Sequence, residues 1–319
     1  MEIEELRRQC KHFFWCDTIP ICQELLDVYA NFFFEAVVNH NYDKVDSQAD
    51  ADARMVLQMM MTKVLHLKNV LNGVDFTSKK GKTLNNIIDP TIVASLIRNI
   101  YETTGMFNLI YHEPKTKDEK QIKYLLWVHA GLSYRNRFDG VITLQENKDK
   151  MEDELKQMES IRKEIEQNPL FRSMDEKNQG KIRTMIKKKD YLIKFNGNQV
   201  SFLSWRELVK VMDIKGDKLD QIYTYFSLYA HPSNVAVFQF KDMFGKNESA
   251  YKNMVIFNLQ TAFMMLSIFI ADYIKAFPKV LKTYEKMGLV EQIVINFHNR
   301  LARGGNYDIN ESWKATEEI

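Results

Sequence analysis

Apolar residues recur along the 319-residue chain at three- and four-residue steps, and alternating β-branched runs are hard to find. Gly and Pro number only 12 and 6, so the pattern predicts an all-α chain. An apolar helix is expected over 21–38, just after Pro20, and a Met-rich one over 53–71 that stops at Asn72-Gly73. Residues 77–86 read as a polar loop. Asp89-Pro90 has the form of an N-cap followed by Pro at the first helical position, which launches a helix to about Tyr111. A further helix runs from Lys120 to about Phe138.

From Leu144 the chain turns highly charged, with Leu144, Met151, Leu155, Met158, Ile161 and Ile165 forming a narrow stripe. Asn168-Pro169 ends it, and a second polar helix over 175–193 carries the basic run Lys187 to Lys189. The two predict a charged helical hairpin, 144–195, inserted in a multi-helix bundle made of 1–143 and 196–305. Asn196-Gly197-Asn198 marks a turn and Ser204 caps a short helix that begins at Trp205. Helices follow over 217–230, closed by His231-Pro232, over 251–276, and from Lys282 to Arg303, closed by Gly304-Gly305. The tail, 306–319, is expected to fray.

Hydrophobic residues make up 45% of the chain, enough for a sizeable core, and 44 Lys plus Arg stand against 42 Asp plus Glu. That balance gives no global attraction for nucleic acid or a membrane surface, so any such recognition has to be local. Cys10, Cys16 and Cys22 match neither a disulfide framework nor a zinc spacing and read as reduced thiols. The start of the chain has no apolar core leading to a cleavage site, which argues against a secretory signal. Residues 254–274 are long enough to span a bilayer, but Asn258, Gln260, Thr261, Ser267 and Asp272 point to a buried core helix and no membrane contact. A cytoplasmic protein is expected. His40, His66, His112, His129 and His298 lack a second ligand at metal-site spacing, so no metal is expected. Without a Walker loop, dinucleotide fingerprint, GxSxG or HExxH motif, no cofactor is expected either.

The candidate chemistry lies on two helices. Within 92–111 most positions are apolar or aromatic, yet Ser95, Arg98, Glu102 and Gly105 fall on one stripe. Asp220, Tyr223 or Thr224, Ser227 and His231 form a second stripe. His231 stands at a helix end, where exposed carbonyls favour the imidazolium. If the stripes face each other, Arg98, Glu102, Tyr223, Ser227 and His231 converge in a water-poor cavity. Arg98 would then hold a phosphate, His231 exchange a proton and Glu102 orient either one, with Tyr223 and Ser227 binding substrate. The same set could equally be a hydrogen-bonded lock that never meets a substrate.

The run Leu96-Ile97-Arg98-Asn99-Ile100-Tyr101-Glu102, then Trp205, then Tyr223 to Ser227 and His231-Pro232-Ser233, resembles a bacterial all-helical family of unknown function. That family, with its RxxxE and YxxxSxxxHP motifs, is loosely akin to abortive-infection and HEPN-type proteins, and the likeness covers residues 20–140 and 200–275. The resemblance implies a cytoplasmic bundle in anti-phage defence or a toxin-like role, with metal-independent RNA cleavage as the activity of HEPN relatives. The HEPN ribonuclease motif places Arg four to six residues before His on one helix, whereas Arg98 and His231 come from different helices. Arg7 and His12 have that spacing but sit in the first turns of the chain. Two other functions stay open: a regulatory module docking a protein partner through the 144–193 hairpin, and a pocket in which Arg98 and His231 hold a nucleotide; assembly as a homo-oligomer stays open as well.

Overall fold

A computed structural model describes residues 3–216, 219, 221–231, 233–242 and 248–317. Asp217, Asp220 and Pro232, on which part of one expected helix and its ending rested, lie outside them. The chain is an all-α multi-helix bundle with two small hairpins, and it divides into two compact units, 1–108 with 209–319, and 109–208. In chain order the helices are α1 (Ile3–Trp15), α2 (Ile19–His40), α3 (Gln48–Val70), α4 (Pro90–Phe107), α5 (Lys117–Arg135), α6 (Gln145–Gln167), α7 (Pro169–Ser173), α8 (Glu176–Lys188), α9 (Leu208–Val211), α10 (Ile222–Ala230), α11 (Asn234–Asp242), α12 (Glu248–Ala276), α13 (Leu281–Tyr284), α14 (Leu289–Arg303) and α15 (Lys314–Glu317). Strands β1 (Val74–Thr77) and β2 (Thr83–Ile87) pair antiparallel, as do β3 (Ile193–Asn196) and β4 (Gln199–Phe202).

In the larger unit α12 packs against α4, α14 and α2. The stretch Lys252–Ala276 is long and apolar enough to cross a membrane, yet its most apolar window is 67% buried within the protein. Two of its polar residues, Ser267 and Asp272, find partners there. Ser267 meets the Tyr29 hydroxyl at 2.6 Å, and His298 Nδ1 of α14 lies 3.3 Å from the same oxygen. One turn later Asp272 accepts from both ends of the Arg303 guanidinium, at 2.6 and 2.9 Å. Both side chains are only 1% exposed. Arg303 Nε donates to the Met212 carbonyl at 2.6 Å, and Asn108 Nδ2, just past α4, donates to Asp272 at 2.8 Å.

Local signals set most helix starts. Thr18, Ser47, Asp89 and Thr116 each accept a backbone N–H from the first turn of α2, α3, α4 and α5. The loop expected over 77–86 is instead the β1–β2 hairpin, entered through Gly73. There φ is +74°, and a Cβ would stand 2.8 Å from the Asn86 carbonyl carbon, so only glycine fits. The helix expected from Lys282 to Arg303 breaks after Tyr284 and restarts at Leu289, where the Glu291 carboxylate accepts the Gly288 N–H at 2.9 Å. The tail expected to fray is held down through its described residues. Asn296 Nδ2 donates to Asn310 and Ser312 at 3.1 and 2.9 Å, and Arg300 lies over the Trp313 ring at 4.4 Å.

The smaller unit starts at Leu109, earlier than the insertion expected at 144, because α5 is the surface on which α6, α7 and α8 pack. Buried Met151, Met158, Ile161 and Ile165 form the seam of α6, whereas Leu155 is 52% exposed and lies outside it. Lys123 is sealed inside, paired with Glu113, and burial lowers its pKa. The second polar helix ends at Lys188, with Lys189 in the left-handed region at φ +61°, and the chain turns into the β3–β4 hairpin around Gly197.

Two stability experiments follow from the core. Asp272→Ala strands the buried Arg303 charge and should cost about 3–5 kcal/mol in urea unfolding, while Asp272→Leu combined with Arg303→Met should recover most of it. Burial pushes the His298 pKa down from 6.5 to about 4. The unfolded chain therefore binds the extra proton, so this contribution is complete above pH 6.5 and is lost as pH falls towards about 4. His298→Gln should remove up to about 1.4 kcal/mol per pH unit of slope from stability measured across that window.

Candidate functional site

Helix α4 is amphipathic only in part. Val93, Ala94, Ile97, Ile100 and Tyr101 are fully buried, and α10 and α12 both pack against the helix, so its polar stripe emerges beside α10. Arg98 reaches out of that stripe and is held on three sides. Its Nε donates to Glu102 Oε1 at 2.9 Å, one turn on in α4. Nη2 donates to the Tyr223 hydroxyl of α10 at 2.8 Å, with the guanidinium carbon 5.0 Å from the centre of that ring. Nη1 meets His231 Nε2 at 2.9 Å, immediately past the end of α10.

The structure thus brings Arg98, Glu102, Tyr223 and His231 together. Ser227 is directed elsewhere: its hydroxyl donates to the Tyr223 carbonyl at 2.8 Å, the usual recourse of a serine inside a helix. Ser95 does the same towards the Thr91 carbonyl at 2.8 Å. The stripe's spacing places both serines near the cluster, but backbone carbonyls four residues earlier take their protons.

Two expectations change. The cluster is not a sealed hollow: the Arg98 and Glu102 side chains are 20% and 28% exposed and His231 lies at the surface. One side of the cluster is open because α10 is short and ends at Ala230, leaving His231 in extended backbone with φ −108°. The second concerns the direction of the His231 hydrogen bond. A guanidinium has only donors, so in this contact His231 Nε2 accepts from Arg98 Nη1 at 2.9 Å.

Sequence reasoning missed one cation. Lys63 of α3 donates to the Asn99 side chain, and burial lowers its pKa against the opposing charge of Glu102. It lies among methionines in a helix read as core filler, and only the packing of α3 on α4 reveals its position. Tyr101, buried beneath the cluster, lies 5.6 Å from the Tyr223 ring and backs the phenol with an apolar face. Its own hydroxyl is pushed to a higher pKa by burial. Among the described residues no group of three or more His, Cys, Asp or Glu could hold a metal ion.

The arrangement can do three things chemically. It presents a delocalised cation whose plane is fixed by a carboxylate, offers an imidazole nitrogen as hydrogen-bond acceptor, and places a phenol against the same guanidinium. No family model, curated protein or solved structure matches the chain. Arg98→Met should cost no more than about 1 kcal/mol in urea unfolding, because a solvent-facing ion pair adds little to stability. A loss as large as that of Asp272→Ala would instead make the cluster a packing lock.

Proposed function

We propose that the Arg98 cluster is the centre of a metal-independent ribonuclease of HEPN-like kind, acting on single-stranded RNA in the bacterial cytoplasm as an anti-phage or toxin-like effector. The observation that carries this reading is a guanidinium gripped by a carboxylate, a phenol and an imidazole while the cluster stays open to solvent. A lock is sealed, as Asp272 and Arg303 are, whereas Arg98 and Glu102 keep 20% and 28% of their side-chain surface exposed. A partly exposed pair adds modestly to stability, so an anionic ligand accounts better for so many groups converging on one guanidinium.

A phosphodiester entering the cluster would compete for the N–H groups of Arg98. By taking Nη1 it would release His231 Nε2, whose lone pair could then accept the proton of the ribose 2′-hydroxyl. The 2′-oxygen would attack phosphorus, close a 2′,3′-cyclic phosphate and expel the 5′-oxygen, which takes a proton from water. Arg98 would offset the charge that builds on the phosphoryl oxygens, and Glu102 would keep its plane aimed. The HEPN resemblance supports the choice of RNA, and the separate helices supplying Arg98 and His231 depart from that family's motif.

One observation favours a second reading. His231 Nε2 is already engaged by Arg98, which suits a site that binds a nucleotide phosphate without cutting it.

Purified protein should cleave single-stranded RNA in excess EDTA. Arg98→Ala and His231→Ala should each lower kcat by about a hundredfold or more while losing no more than about 1 kcal/mol of stability in urea unfolding. Folded variants that cut at the wild-type rate would remove the ribonuclease reading. Nucleotide-dependent stabilisation without cleavage would support the second one.

A further inference from the structure

The β1–β2 hairpin joins α3 to α4, the two helices that carry Lys63 and Arg98, and nothing in the reading of the Arg98 centre uses it. All of β1 and the first four residues of β2 are exposed. Val74, Phe76 and Leu84 leave 64%, 61% and 46% of their surface open, and Phe76 faces Leu84 across the ladder. At the tip the Ser78 N–H donates to the Lys82 carbonyl at 2.7 Å and the Gly81 N–H to the Ser78 carbonyl at 2.9 Å. The Lys82 N–H donates to Ser78 Oγ at 3.0 Å, and Gly81 closes the turn at φ +78°. This turn displays Lys79, Lys80 and Lys82, all exposed, at one end of an exposed aromatic strand. The hairpin's one carboxylate, Asp75, is turned to its foot, where it accepts the Asn86 N–H at 2.6 Å.

This distribution selects the occupant. Three lysines on a fixed turn call for negative charge, and beside them a flat, open phenylalanine calls for a flat apolar partner. A second copy of the hairpin would set lysines against lysines. Single-stranded nucleic acid supplies both groups, phosphates for the lysines and unstacked bases for the ring, whereas bases stacked inside a duplex cannot reach it. Placement agrees, because β2 feeds directly into α4 and Arg98 follows Pro90 by about 12 Å of helix.

We propose that the β1–β2 hairpin is a clamp for single-stranded RNA, with Lys79, Lys80 and Lys82 on its phosphates and Phe76 stacked on a base. The choice of RNA rests on the reading of the Arg98 centre as a phosphodiester site.

The test is binding of the full chain to a labelled, unstructured 2′-O-methyl RNA, whose blocked 2′-oxygen prevents cleavage, measured by fluorescence anisotropy over a salt series. Cleavage of unmodified RNA is followed in parallel. Replacing Lys79, Lys80 and Lys82 together by Gln should weaken binding at least about tenfold at low salt. It should also flatten the slope of log affinity against log salt by about 2, the loss of three phosphate contacts. Phe76→Ala should weaken binding about tenfold and leave the slope unchanged. All four side chains are exposed, so these variants should keep the wild-type fold.

Unchanged affinity and slope in the variants would overturn the clamp, and persisting RNA cleavage would leave the Arg98 reading standing. Hairpin-dependent binding without cleavage of unmodified RNA would uphold the clamp and remove the ribonuclease reading. Loss of binding to phosphatidylserine vesicles, or of self-association, in Phe76→Ala with no RNA bound by the wild type would assign the hairpin to those partners and overturn the proposal.

Discussion

Taking Asp272 and Arg303 out of water together obliges the chain to supply hydrogen-bond partners for both charges. A buried ion pair gains little net stability, since desolvation offsets most of the attraction, but it punishes any arrangement that leaves one partner alone. Here the answer comes from separate parts of the chain. Asn108 closes on the carboxylate from the end of α4, and the Met212 carbonyl closes on the guanidinium after α9. Three stretches are thereby fixed against α12 at once, in a helix whose apolar surface alone would tolerate rotation or sliding.

That constraint reaches the candidate site through α4. Asn108, tied to the buried pair, lies about 15 Å along the helix from Arg98. A helix fixed at one end and packed by α12 along its length presents Arg98 at a set height and angle, and α10 has only to dock beside it for Tyr223 and His231 to meet the guanidinium. The two arginines show how burial divides roles. Arg303 has bidentate Asp272 and no solvent, and serves the fold. Arg98 has a similar wealth of partners but keeps 20% of its side chain exposed, so it is only partly withdrawn from water.

The exposed parts of the larger unit follow a different logic. The β1–β2 hairpin lies outside the apolar core, held by its own turn and by the fit of Asn86 against Gly73. Because its side chains are not needed for packing, Phe76 and the tip lysines are unconstrained by the fold. In the smaller unit the reverse holds at Lys123 and Glu113, where charge is taken inside and neutralised by a partner.

By itself the sequence determined the helical class, the cap at Asp89 that starts α4, and the burial of the 251–276 helix, since each depends on neighbours a few residues apart. It also marked Arg98, Glu102, Tyr223 and His231, because a polar stripe through an apolar helix is visible as periodicity. Tertiary structure alone decided which arginine is sealed and which is open. Asp272 stands out in its apolar helix, but its partner Arg303 is 31 residues away and no spacing names it. It also decided that Ser227 turns to its own backbone, that His231 Nε2 accepts from Arg98, and that residues 77–86 pair into a hairpin. The physical reason is that hydrogen-bond choice, protonation and solvent exposure are set by what lies across a gap in space, where spacing along the chain carries no information.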